Sequence, residues 1–276
     1  MKIFVSDLDG TLIDNTLQSD DSVKKCVEKI LDSKNDLVIA TGRSLYGVQI
    51  LNIYEYPIYF IIMNGAIILD RNKDVIYKKV IDEKIVNDIF IKYPNDNVEY
   101  ITQGKTFMTI SKEEYLSRYS KWDMWNKKML NNGNDKQLHF MLSHFVFDAD
   151  ISKIKDQVVK INILEMDNQK YIEKTNYIRN FDEVINNPFD KNVLEITSKG
   201  ITKKNAIVKL IQITKWNNND IYVFGDGDND SDMLEYFDNS FAPENASEKA
   251  KNCAKYKIGK CSSKSVINQI YKILGK

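Results

Sequence analysis

Met1-Lys2-Ile3-Phe4-Val5-Ser6-Asp7-Leu8-Asp9-Gly10-Thr11-Leu12-Ile13-Asp14 opens the chain and decides how the rest of it is read. Ile3, Phe4 and Val5 form a short apolar run closed by turn residues, the pattern of a buried parallel strand. Two aspartates follow, two residues apart. An extended backbone carried that far sends both side chains from the same face. Gly10 lets the chain turn sharply, and Thr11 adds a hydroxyl at the bend. Open α/β sheets bind ligands just beyond the carboxyl ends of their strands, so this acidic pair stands where chemistry is done. Close carboxylates repel unless one is protonated or a cation lies between them. Hard oxygen donors of this kind suit Mg²⁺, which takes carboxylates, water and phosphate oxygens. Asp-Gly is also a common turn dipeptide, and an ordinary surface turn is the plain alternative.

Outward from that stretch, apolar spacing predicts a helix over 22–31, with Asp20 or Asp21 as its cap. A strand over 37–40, a helix over 44–54 and a strand over 58–63 follow, then a hairpin from 67–69 and 75–77. Strand-helix alternation of this kind builds a parallel sheet covered by helices. From about residue 81 the texture changes. A helix over 82–92, strands over 98–101 and 106–110, and a polar helical stretch with Trp122 and Trp125 come first. A loop at 131–135, a strand over 138–147, a helix over 151–164 and a strand over 193–196 complete an inserted α+β domain. The first pattern then resumes, with a helix over 202–213, a buried strand over 221–224, a helix over 232–237, a short strand at 241–242 and a final helix over 263–274. The expected fold is therefore α/β: a Rossmann-like, doubly wound parallel core from residues 1–80 and 196–276, interrupted by an α+β cap at 81–195.

The totals narrow the function. In 276 residues, Lys plus Arg and Asp plus Glu both number 39, so no cationic field for nucleic acid or an anionic membrane is expected. Cys26, Cys253 and Cys261 show neither metal-type spacing nor an even framework, and they read as reduced thiols of a cytoplasmic protein. Asp7 and Asp9 interrupt the first apolar run too soon for a signal peptide. The longest apolar stretch, 58–69, is too short to span a bilayer and contains Asn64 and Gly65.

A second acidic stretch, Ile221-Tyr222-Val223-Phe224-Gly225-Asp226-Gly227-Asp228-Asn229-Asp230, again runs from an apolar strand into acids and glycines. A calcium loop is its obvious competitor, but Ser231 stands where such a loop needs glycine and Phe237 where it needs a bidentate glutamate. Ala40-Thr41-Gly42-Arg43 ends another strand with a hydroxyl and a glycine whose amide can meet a phosphate oxygen; the plain alternative is a helix cap. Lys203 and Lys204 both stand at the start of a predicted helix, where a cation opposes the helix dipole and needs another reason to be there. His139 and His144 fall on a predicted cap strand with opposite facing, which excludes a shared metal. Trp122 and Trp125 read as packing, with substrate contact the alternative.

Asp7-Leu8-Asp9-Gly10-Thr11, Thr41-Gly42-Arg43, Lys203 and Gly225-Asp226-Gly227-Asp228-Asn229-Asp230 together resemble the four ordered motifs of the haloacid dehalogenase (HAD) superfamily. The insertion between the second and third motifs resembles the Cof-type branch with its large α/β (class IIB) cap, as do Asn64-Gly65-Ala66 and Glu195-Ile196-Thr197-Ser198-Lys199-Gly200. The likeness covers essentially the whole chain, although the cap matches only in layout. It implies an Mg²⁺-dependent phosphatase that acts on a small phosphorylated metabolite through an aspartyl-phosphate. Asp7 would be the nucleophile and Asp9 the general acid and base. Thr41 and Lys203 would bind the phosphoryl oxygens, with Lys203 preferred to Lys204 only by this alignment. Gly42, Arg43 and Asn64 would lie on the substrate side, and Asn229 would orient substrate or loop. The metal would be held by Asp7, the Asp9 carbonyl, Asp226 and Asp230. A phosphosugar mutase, a signalling receiver and a non-catalytic phosphate-binding protein are the competing readings; a receiver lacks a large insertion. No nucleic-acid or membrane partner is expected, and a monomer or homodimer is.

Overall fold

The computed structural model of this protein describes residues 1–14, 20–122, 135–188 and 191–275. The chain forms two compact units, one from Met1–Arg43, Val48–Tyr77 and Thr202–Lys276, the other from Ser44–Gly47 and Lys78–Ile201. It opens with β1 (Ile3–Ser6), α1 (Asp21–Asp32), β2 (Asp36–Ala40), α2 (Leu45–Gln49), β3 (Tyr59–Ile62), β4 (Ile67–Leu69) and β5 (Val75–Lys78). Next come α3 (Glu83–Lys92), β6 (Val98–Ile101), β7 (Thr106–Phe107), α4 (Lys112–Tyr119), α5 (Asp135–Leu142), β8 (Phe145–Val146), β9 (Lys160–Leu164), α6 (Asn168–Ile178), β10 (Val184–Asn186) and β11 (Val193–Ser198). The chain ends with α7 (Lys203–Thr214), β12 (Ile221–Phe224), α8 (Ser231–Tyr236), β13 (Asn239–Pro243), α9 (Glu248–Cys253), β14 (Tyr256–Ile258) and α10 (Ser265–Ile273).

The first unit is built on a sheet of order β14-β13-β12-β1-β2-β3-β4-β5, parallel from β14 to β3 and antiparallel at β3–β4. All four residues of β1 are buried, as a strand covered on both faces requires. Ile3 and Val5 lie on one face with Val38, Ala40, Ile61 and Val223, packed with Ala206, Ile207 and Leu210 of α7 and Met233 and Leu234 of α8. Helix α1 buries Val23, Cys26, Val27 and Ile30, a spacing that keeps one stripe facing inward, and its first turn is capped by the Asp20 carboxylate. From β1 the chain winds one way through β2 and β3 and the other way through β12, β13 and β14. The winding reverses between β1 and β12, so ligands are expected beyond the carboxyl ends of those two strands. The doubly wound α/β core is thus borne out.

The second unit has a six-stranded sheet of order β10-β11-β9-β6-β7-β8. One face carries Val98, Tyr100, Ile161, Ile163, Leu194 and Ile196, covered by α3 and α6. On the other face Glu99, Asn162 and Glu195 stand in register across three strands. Strand β11 crosses the boundary expected at residue 195 and belongs throughout to this sheet.

Local differences from the sequence reading concentrate here. Residues 138–147 are not one strand, because Leu138, Met141 and Leu142 sit at helical spacing on α5 and pack with Tyr115 and Trp122. His139 is therefore an exposed helical residue, whereas His144 follows the helix and stacks on Tyr46 at 5.1 Å between ring centroids. The helix expected over 151–164 is two 3-10 turns followed by β9, whose run Lys-Ile-Asn-Ile-Leu is drawn into pairing with both β6 and β11. Helix α2 is a short piece of the one expected over 44–54. Helices α6 and α9 and strands β10 and β14 are additions, the helices capped by Asp167 and Ser247. Trp122 is buried beside Tyr119; Trp125 and 131–134 of the expected loop lie outside the described residues. All three cysteines are free, and among the described residues no helix is long and apolar enough to cross a membrane.

Candidate active site

Strand β1 delivers Asp7 to the switch point. Its backbone N–H donates to Phe224 O at 2.9 Å, which binds the ends of β1 and β12 together. The turn after it depends on Gly10, whose φ is +85°. A Cβ at that position would come within 2.4 Å of Asp226 Oδ2, so only glycine lets the carboxylate approach this closely. Thr11 Oγ1 donates to Asp226 Oδ1 at 2.5 Å.

Lys203, fully buried at the start of α7, closes the cluster. Its ammonium donates to Asp7 Oδ1 at 2.5 Å and to Asp230 Oδ1 at 2.6 Å. The other oxygen of Asp230 accepts from the backbone N–H groups of Asp226 and Gly227 at 3.0 and 2.9 Å. Lys204 points elsewhere, with its ammonium 5.7 Å from the Tyr236 ring centre. The helix-dipole penalty at Lys203 is offset by this pair of carboxylates.

Charge balance dominates the electrostatics. Burial drives the Asp7 carboxyl well above its ordinary value; Lys203 opposes the shift, and Asp230 and Asp226 add to it. Asp226 is also raised by burial, against the hydrogen bond from Thr11. For Lys203, burial alone would lower the pKa, but Asp230 and Asp7 outweigh it and hold the ammonium charged above its ordinary value. One lysine facing three carboxylates leaves the ionised cluster two negative charges in excess. One oxygen from each of Asp7, Asp226 and Asp230 lies within 4.8 Å of the others. An all-oxygen donor set with that excess suits a hard divalent cation, and the space kept open by Gly10 admits the Asp226 carboxylate.

The remaining expected residues gather on the same unit. Thr41 is 2% exposed; its Oγ1 accepts from Arg43 N at 3.2 Å, a local turn ahead of α2 instead of a cap on it. Gly42 lies between them. The Arg43 guanidinium grips the Asp9 carboxylate with both prongs, Nε to Oδ2 at 2.8 Å and Nη2 to Oδ1 at 2.6 Å. Asn64 is 3% exposed, and its carboxamide oxygen accepts from Asn229 Nδ2 at 3.1 Å. The sequence reading missed the supports of the two loops. Asn245 Nδ2 donates to Gly10 O, Ser247 N donates to Asp226 O, Ser247 Oγ donates to Asp228 Oδ1, and the buried Cys261 thiol donates to Thr11 O. An Asn two residues before a Ser cap on α9 was the one local signal for them.

Fold and cluster together define a class: doubly wound α/β proteins with a lysine-bridged carboxylate centre at the topological switch point. Residues 4–270 match the family model of haloacid dehalogenase-like hydrolases, and the chain belongs to that family, in its Cof-type branch. A protein of Buchnera aphidicola is 28% identical over 236 residues, 84% of this chain and 82% of that one. The Bacillus subtilis 5-amino-6-(5-phospho-D-ribitylamino)uracil phosphatase YwtE is 23% identical over 266 residues, 91% of this chain and 90% of its own length. A solved haloacid dehalogenase-like hydrolase from B. subtilis shares the fold with a TM-score of 0.81 at 20% identity, covering 98% of this chain and 99% of its own.

Proposed function

We propose that this protein hydrolyses small phosphate monoesters by transient phosphorylation of Asp7, with Mg²⁺ held at the Asp7, Asp226 and Asp230 cluster. The enzyme is a phosphoric monoester hydrolase of the haloacid dehalogenase superfamily. The observation that carries the mechanism is the placement of one buried ammonium 2.5 Å from Asp7 and 2.6 Å from Asp230, beside the Asp226 carboxylate.

In this reading Asp7 attacks phosphorus, the ester P–O bond breaks, and the departing oxygen takes a proton from Asp9, once the Asp9 carboxyl has parted from the Arg43 guanidinium that grips both its oxygens. Water then attacks the same phosphorus, gives its proton to Asp9 and releases Asp7. Asp7, the Asp9 carbonyl, Asp226 and Asp230 would hold Mg²⁺, which when bound would supply charge neutralisation at the phosphoryl oxygens. Lys203 and Thr41 bind those oxygens, and Lys203 keeps the cluster from repelling a phosphate dianion. Arg43 holds the Asp9 carboxyl before substrate arrives and lies with Gly42 on the substrate side, and Asn229 orients the acidic loop. The segment inserted between the second and third motifs is assigned the choice of substrate, on its place in the chain order. Sugar phosphates and phosphorylated cofactors are the substrate class proposed, the second in keeping with the named B. subtilis relative. Free, unpaired cysteines support a cytoplasmic setting, and a monomer or homodimer suffices.

A panel of phosphate monoesters, assayed for phosphate release with Mg²⁺ and with chelator, tests the reading in the wild type and Asp7→Asn. Metal-dependent release that the substitution abolishes is expected. Phosphate transferred to a second position of a sugar without release would assign a mutase instead.

A further inference from the structure

Met63, Asn64 and Gly65 follow β3 with φ values of +52°, +56° and +111°. Two successive non-glycine residues in the left-handed region cost free energy that the surroundings must offset. Nothing in the expected roles accounts for that, and all three residues are buried.

The contacts of this turn do. Met63 N donates to Arg43 O at 2.9 Å, and Asn64 N donates to Thr41 O at 3.0 Å, so two backbone bonds hold the Thr41–Arg43 loop. Gly65 abuts the residue ahead of Lys203: a Cβ there would lie 2.7 Å from Thr202 O and 2.9 Å from Ala206 Cβ. The Asn64 carboxamide accepts from Asn229, one residue from Asp230. A single buried turn therefore touches the hydroxyl loop, the start of the lysine helix and the acidic loop.

From these contacts we infer that Asn64 is a positioning residue that fixes the acidic loop through Asn229, and that the Met63–Gly65 turn sets the mutual spacing of Thr41, Lys203 and Asp230. The inference rests on the proposed phosphatase reaction and replaces the direct substrate contact expected of Asn64. Its carboxamide oxygen is already engaged by Asn229 Nδ2, on the side of the acidic loop.

The test is a double-mutant cycle on the full chain: wild type, Asn64→Gly, Asn229→Ala and the pair. Glycine keeps the left-handed backbone and removes only the carboxamide, so folding is retained, and melting temperature is the control. Two readouts are taken: the Mg²⁺ concentration giving half of the thermal shift, and kcat/KM with p-nitrophenyl phosphate. Each single variant should weaken both by about tenfold, and the pair by no more than the worse single, because the two side chains act as one bond. Effects that multiply to about a hundredfold, or an Asn64→Gly variant that raises KM alone, overturn the positioning role. A wild type that binds Mg²⁺ but turns over no ester would sink the phosphatase reading separately, leaving the metal titration to decide the role of Asn64.

Discussion

Lys203 and Asp7 stand 196 residues apart in sequence and 2.5 Å apart in space, and that bond joins the two halves of the interrupted core at the carboxylate cluster. Replacing the ammonium by the apolar Lys203→Met leaves Asp7 and Asp230 facing each other with no cation between them. Turnover should fall at least about a hundredfold, as for loss of a positioned charge stabiliser. Metal binding should move the other way. With the competing cation gone, the Mg²⁺ midpoint in a thermal-shift titration should drop by about tenfold or more.

Metal removal has a predicted signature in stability. A cation that binds only the folded chain raises its stability by about 2.7 kcal/mol at a hundred times its dissociation constant. Chelator should therefore lower the melting temperature, and Mg²⁺ should restore it. In Asp226→Asn the Mg²⁺-dependent increment should vanish, with the melting temperature in chelator no lower than that of the wild type.

Ionisation in the second sheet gives a pH dependence of determinate sign. Burial raises the Glu99 carboxyl above its ordinary 4.5, against hydrogen bonds from Asn162 and Tyr119 and the charge of Lys160. Below that ordinary value Glu99 is protonated in both the folded and the unfolded chain. As pH rises, the unfolded chain ionises first, so this group's stabilising contribution is lost on the way up through the folded pKa. Glu99→Gln stays neutral. The melting temperature of the variant relative to wild type should thus increase between pH 4.5 and pH 8, by about 2–4 °C per kcal/mol relieved. A difference that is flat or falls with pH counts against it.

Gly10→Ala puts a methyl 2.4 Å from Asp226 Oδ2 and forces alanine to φ +85°. The Asp226 carboxylate must retreat. A loss of about tenfold or more in kcat/KM and a higher Mg²⁺ midpoint are expected, alongside destabilisation of about 1 kcal/mol from the backbone conformation alone.

Much of the core was legible because buried parallel strands announce themselves. Ile3-Phe4-Val5 and Ile221-Tyr222-Val223-Phe224 each run uninterrupted into an acidic turn, and chain order then brings Asp7 and Asp226 to adjacent strand ends. Lys203 was separable from Lys204 only by resemblance, since both stand at the same helix start; burial against Asp7 and Asp230 separates them in space. The second unit was read less well. Its central strands β6, β9 and β11 pair antiparallel across long sequence separations, and Lys160–Leu164 takes its conformation from neighbours on both sides, which no local window contains. The Thr11–Asp226 and Asn64–Asn229 bonds were invisible for the same reason, lying 215 and 165 residues apart.

Phosphorylation of Asp7 is the claim on which the rest depends, and it can be observed directly. A radiolabelled monoester that the wild type hydrolyses should be mixed with excess enzyme and Mg²⁺, quenched in acid within one turnover, and the protein digested and mapped. Label is predicted on the peptide holding Asp7, removed by hydroxylamine as an acyl phosphate must be, and absent from Asp7→Asn. Full phosphate release with no label on that peptide, and unchanged turnover in the variant, would contradict the account.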